Sequence, residues 1–162
     1  MPTKLKKFFI LIVTCLLTIL LDQVTKHLVL NCLDHSNIYK ITNFFNFVKI
    51  WNNGISFGML SEYDLSPIIF ICLSLIIIVF ILYLMSNINP ILQGFIIGGA
   101  IGNLIDRILF GKVFDFIDFH INNWHYPAFN VADSFIVISI TIIIFNEIKY
   151  YILYRKNKLV NK

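Results

Sequence analysis

The sequence predicts an all-α integral membrane protein: four transmembrane helices carrying a small extracytoplasmic β-sheet and a surface-lying helix. Of the 162 residues, 58% are hydrophobic and 14% charged, with a mean hydropathy of +0.80, well beyond the apolar content of an ordinary soluble domain. Four apolar runs, near 8–30, 67–85, 91–110 and 131–154, each reach the roughly 20 residues that a helix needs to cross about 30 Å of hydrocarbon. Eight of the thirteen basic residues sit before the first run or at the end of the last: Lys4, Lys6, Lys7, Lys149, Arg155, Lys156, Lys158 and Lys162. With four spans both termini share a side, and the positive-inside bias makes that side cytoplasmic.

The first run, within KLKKFFILIVTCLLTILLDQ, has the basic start and apolar centre of an export signal but no small-x-small cleavage site, so it is expected to stay as a span. IVTC lacks the small residues that would precede a lipid-attached cysteine. Residues 31–66 then face outward, and NFFNFVKIWNNGISFGML is a β-branched and aromatic run broken at Asn-Asn-Gly, which predicts a hairpin. SNINP at 86–90 is short and uncharged, so the second and third spans are expected as a tight antiparallel pair. The second outer segment, GKVFDFIDFHINNWHYPAFN at 111–130, alternates carboxylates with aromatic rings that favour the membrane–water interface. The surface-lying helix is expected there.

Repeats, low-complexity tracts and linkers are absent, so residues 1–162 read as a single polytopic domain, expected as a monomer. The net charge of +4 reports topology and implies no nucleic-acid partner. Cys15, Cys32 and Cys72 lack CxxC spacing and read as small buried hydrophobes.

Ionisable groups in hydrocarbon are expensive unless paired, so an intramembrane aspartate is a functional hypothesis by default. Asp22, Asp106 and Asp133 fall at the outer ends of three different spans, and Asp115 and Asp118 follow closely. Helix-to-helix glue is the plain alternative, with Asp22 reaching Lys26 one turn on. Yet five carboxylates at this level face only Lys26, Arg107 and Lys112, so at least two acids lack a partner. Two carboxylates pressed together share a proton. Such a pair suits hydrolysis: one acts as general base on water while the other protonates the carbonyl, with no metal or cofactor. His120 and His125 carry no metal-ligand spacing. Asp133, in the first turn of a helix, is the simpler member to assign. Asp106 and Asp115 both qualify as its partner. Arg107 and Asn103 are expected to keep Asp106 ionised, so the physics leans toward Asp115.

GGAIGNLIDR at 98–107, VFDF at 113–116, FNVADS at 129–134, DQVTK at 22–26 and NNGISF at 52–57 together resemble the lipoprotein signal peptidases, or signal peptidase II, in order and at matching intervals. The resemblance implies an aspartic endopeptidase of the bacterial inner membrane, multi-pass, with both termini cytoplasmic and its active site toward the outer face. Its substrates would be lipid-modified prolipoproteins, cut N-terminal to a diacylglyceryl-modified cysteine, with membrane lipids as its surroundings. The family's dyad matches Asp115 and Asp133. Asn103, Arg107 and Asn130 look like groups ordering the site or contacting substrate. Asn52 with Gly54 looks like the substrate-facing edge of the sheet, Asp22 with Lys26 resembles a supporting pair, and Asp106 becomes a supporting residue. Ile55 and Ser56 replace two customary alanines, and Phe114 a small β-branched residue. The readings from other classes are a small proton-coupled carrier and a structural membrane subunit. Carriers usually carry repeated halves and midplane sites, which this chain lacks, and a subunit leaves the acidic cluster without purpose.

Overall fold

The computed structural model describes residues 3–33, 37–53, 67–84 and 88–160. Among them the chain runs α1 (Thr3–Cys32), β1 (Ile38–Lys40), β2 (Phe45–Asn52), α2 (Pro67–Leu84), α3 (Pro90–Phe110), β3 (Val113–Ile121), β4 (Trp124–His125) and α4 (Val131–Val160). Three of these helices, α1, α3 and α4, are long and apolar enough to cross a membrane, and α2 adds a shorter apolar stretch.

The bundle is organised around α3. Asn89 caps its start by accepting from the Ile91 N–H at 2.9 Å, with Pro90 in the first turn, where a missing N–H costs nothing. Gly111 ends it in the left-handed conformation, φ 72°, which glycine adopts without strain. Gly94, Gly98 and Gly102 repeat every four residues and meet α1, while Gly99 meets α4. A methyl at Gly98 would lie 2.7 Å from the Cys15 carbonyl oxygen, and one at Gly99 2.7 Å from that of Ala132. Small residues let backbones approach in this way where hydrocarbon supplies no drive for helices to associate. On α1 the buried residues Cys15, Thr18, Asp22, Lys26 and Val29 recur at three- and four-residue spacing, so one stripe faces α3. Most of its other apolar side chains face outward, as lipid contact requires. Cys72 and Cys32 are exposed rather than buried, unlike Cys15.

The four strands form one antiparallel sheet in the order β1-β2-β3-β4. Residues 111–130 are therefore strand and turn, not the expected surface-lying helix. VFDFIDFHI alternates its faces with a period of two, and β2 supplies the partner edge: Asn46 lies opposite Asp118 and Ile50 opposite Asp115, with an irregularity between Phe47 and Ile50. β2 ends near the Asn-Asn-Gly break, but its described partners are β1 and β3. Any second arm beginning at Ile55 falls outside the described residues. Phe114 and Phe116 of β3 pack with Val29 and Leu33 from the end of α1, and Phe47, Trp51 and Val131 border them. This cluster clamps the sheet onto the end of the bundle where α3 stops and α4 begins.

Candidate functional site

α4 begins with a reciprocal cap. The Asp133 N–H donates to Asn130 Oδ1 at 3.0 Å, and the Asn130 N–H donates to Asp133 Oδ2 at 3.3 Å, the pattern by which a side chain three residues into a helix closes its first turn. A third N–H of that turn, from Ala132, reaches Asp22 Oδ1 at 2.9 Å. Asp22 is thus tied to α4 across the bundle as well as to Lys26 on its own helix.

Lys26 is a buried cation shared by two acids. Its Nζ lies 2.7 Å from Asp22 Oδ2 and 2.9 Å from Asp106 Oδ2, and it donates to Asn103 Oδ1 at 3.0 Å. Asp106 also accepts from the Phe114 N–H at 3.1 Å, which fixes the turn from α3 into β3. The partner that engages Asp106 is consequently Lys26 from α1. Arg107 and Asn103 of its own helix, expected in that role, point elsewhere. The Arg107 guanidinium packs over the Phe70 ring at 5.8 Å, with Nη1 3.5 Å from Ser74 Oγ on α2.

Asn103 and Asn130 carry the network to the other two acids. Asn103 Nδ2 donates to Asp133 Oδ1 at 2.8 Å. Asn130 Nδ2 donates to Asp115 Oδ1 at 2.7 Å and to Asn103 Oδ1 at 3.0 Å. The other Asp115 oxygen accepts from Asn52 Nδ2, the last residue of β2, at 3.0 Å. Asp115 is buried. Burial and the neighbouring Asp133 carboxylate push its carboxyl up to about 7, against the hydrogen bonds from Asn52 and Asn130 that favour the ionised form.

Asp118 belongs to a separate group. Three residues beyond Asp115, it accepts from Asn46 Nδ2 at 2.8 Å and contacts His125 Nδ1 at 2.8 Å, which pins β2, β3 and β4 together. His120 and His125, five apart, stack at 5.0 Å because they face each other across the β3–β4 turn.

The carboxylates are therefore sorted. Asp22 and Asp106 share Lys26 and Asp118 has His125, while among the described residues Asp115 and Asp133 form no ion pair. Beside Asp133 a cleft of about 340 Å³, lined by Tyr126, Phe129, Ser134, Val137 and Ile138, opens along α4. Among the described residues no three His, Cys, Asp or Glu side chains gather as a metal site would require. Gly54, with Ile55 and Ser56, lies outside the described residues.

Gln23 was not singled out by its sequence. Its Nε2 reaches Asp22 Oδ2, the Gly102 carbonyl and Asp106 Oδ1 at 3.1–3.2 Å, cross-linking α1 to α3 beside the lysine. A polar side chain next to Asp22 in an apolar run was the available signal. Asn46 offered a weaker one, since strand pairing alone places it opposite Asp118.

Residues 14–149 match the family model described as Signal peptidase (SPase) II. The "Lipoprotein signal peptidase" of Anaplasma marginale (strain Florida) is 38% identical over 144 residues, covering 86% of this chain and 85% of that protein. The protein of the same name from Thermodesulfovibrio yellowstonii is 40% identical over 139 residues, covering 85% and 93%. A solved structure described as "Bacterial membrane enzyme structure by the in meso method at 2.3 A resolution" superposes with a TM-score of 0.74 at 29% identity, covering 86% of this chain and 87% of its own. With its family model spanning most of the sequence and its relatives aligned nearly end to end, this chain belongs to the signal peptidase II family.

Proposed function

We propose that this membrane peptidase is an aspartic endopeptidase that removes the signal peptide of bacterial prolipoproteins, cutting N-terminal to the diacylglyceryl-modified cysteine. One observation carries the reading: Asp115 and Asp133 are joined through Asn130 and, among the described residues, make no ion pair, while Asp22 and Asp106 share Lys26.

Asp115 and Asp133 hold one proton between them. The ionised carboxylate takes a proton from water as the water oxygen attacks the scissile carbonyl carbon, and the protonated carboxyl donates to the carbonyl oxygen. The resulting gem-diol collapses by breaking the C–N bond. The departing cysteine nitrogen takes up a proton, and the diol returns one to the pair as it becomes the carboxyl of the signal peptide. No metal or cofactor enters this scheme. Asn130 and Asn52 orient the Asp115 carboxylate, and Asn103 that of Asp133. Arg107 borders the substrate path, and the Asp22–Lys26–Asp106 group supports the site from behind. The apolar cleft along α4 offers room for the lipid-bearing side of the substrate.

Four spans, cytoplasmic termini, a site facing the outer side of the inner membrane and one polytopic domain acting as a monomer complete the reading. Gel-shift cleavage of a diacylglyceryl-modified prolipoprotein tests it, comparing wild type with Asp115→Asn, Asp133→Asn and Asp106→Asn at equal folded amounts. The first two should abolish cleavage and the third should retain part of it. Active Asp115→Asn beside a dead Asp106→Asn would overturn the pair, and equal rates on unlipidated substrate would overturn the lipid requirement.

A further inference from the structure

The β3–β4 hairpin ends in side chains that neither the bundle nor the site uses. Ile121 is 70% and Trp124 63% exposed, and beside them Phe44 is 58% and Phe119 42% exposed. The turn between the strands is tight, with Asn122 at φ 52°, and the backbone of the hairpin is held by Tyr126 N–H to Phe119 O at 2.8 Å and His120 N–H to Phe44 O at 2.9 Å. These bonds tie Phe44, Phe119 and Tyr126 into the same hairpin. Exposed apolar side chains gathered this closely mark a contact surface.

What covers the tip follows from where it lies. Tyr126 lines the same cleft as Ser134, Val137 and Ile138, residues one to two turns inside α4. Tyr126, the residue after β4, therefore sits beside that helix. Val137 and Ile138 are 62% and 53% exposed on a membrane-crossing helix, so their outward face meets lipid. Tyr126 also borders an apolar recess with Phe44, Phe119, Ile121 and Trp124, so the apolar surface continues from α4 to these side chains, with Asp133 in the cleft wall. Tryptophan and tyrosine on such a surface favour the headgroup level of a bilayer.

We infer that the β3–β4 tip is a membrane-interface anchor, with Ile121, Trp124 and Phe44 inserted into the leaflet at the sheet-bearing end of the bundle. Because β3 also carries Asp115, the anchor holds that carboxyl at a set depth relative to the lipid.

Tryptophan emission tests this without any cleavage assay, so its outcome is independent of the proposed peptidase chemistry. Trp51 and Trp124 are the two tryptophans of the chain. In phosphatidylcholine nanodiscs, the Trp124 signal is read from a Trp51→Phe variant. It is read again, leaving the packed Trp51 ring in place, as the difference between wild type and Trp124→Phe. Lipids brominated at shallow acyl positions should lower Trp124 emission by about twofold or more, and iodide in the water should quench it at less than about a third of the rate for a free tryptophan amide, as interfacial burial requires. Iodide quenching at or above that threshold, or emission indifferent to brominated lipid, would place the tip in water and overturn the anchor.

Discussion

Asn130 donates to Asp115 Oδ1 at 2.7 Å with the same side chain whose Oδ1 caps the Asp133 N–H at 3.0 Å. One amide therefore sets the first turn of α4 and the position of β3 against it. Asn130→Ala should lower kcat by about 10²–10³, the scale of losing one preorganised donor, while KM changes little. Steady-state kinetics on lipidated substrate would separate this from a binding defect, which would raise KM instead.

Asn52 reaches the other Asp115 oxygen at 3.0 Å and favours its ionised form. If the pair works with one proton, activity falls on the alkaline side as that proton is lost, in a step belonging to both carboxyls. Asn52→Leu removes a stabilising donor and should move this alkaline limb to higher pH. A pH–rate profile that stays in place would show that Asn52 does not act through Asp115.

The raised Asp115 carboxyl, near 7 against an ordinary value of 3.8, also makes stability depend on pH. Its proton is held more tightly in the folded protein, so the stability this group contributes is full below about pH 4 and is lost as pH rises to about 7. Asparagine does not titrate. Melting scans should find Asp115→Asn more stabilised relative to wild type at pH 8 than at pH 4, and the opposite order would contradict the shift.

Lys26 is shared between Asp22 and Asp106, at 2.7 and 2.9 Å. Lys26→Met leaves two buried carboxylates facing each other and should cost about 3–5 kcal/mol, the penalty for breaking a buried ion pair from one side. Adding Asp22→Asn and Asp106→Asn to the same chain should recover part of the lost thermal stability.

A methyl on Gly102 would lie 2.5 Å from Asp22 Oδ2, so Gly102→Ala has to displace the acid that ties α1 to α4. It should lower both the melting temperature and activity. Gly111→Ala, strained by its φ of 72°, should cost about 1–2 kcal/mol and leave cleavage nearly intact. Parallel melting and cleavage measurements would distinguish the two.

Membrane character and the gathering of acids at one end were legible in the sequence, because hydrocarbon tolerates few polar residues and each exception stands out; α1 and α4 run past the apolar stretches that mark them. The motif order also identified the family. Sequence counting could show that two acids lacked a cation, but not which two: Lys26 lies four residues from Asp22 and is brought to Asp106 only when the glycines of α3 admit α1. The aromatic content of the second outer segment suits an interface in either conformation and so does not separate a surface helix from a strand; β2, distant in sequence, supplies the hydrogen-bonding edge that makes it a strand. Local chemistry decided where polar groups were expensive enough to need a reason. Tertiary contact decided how each was satisfied, since partners from α1, β2, β3 and α4 meet only once the chain has packed.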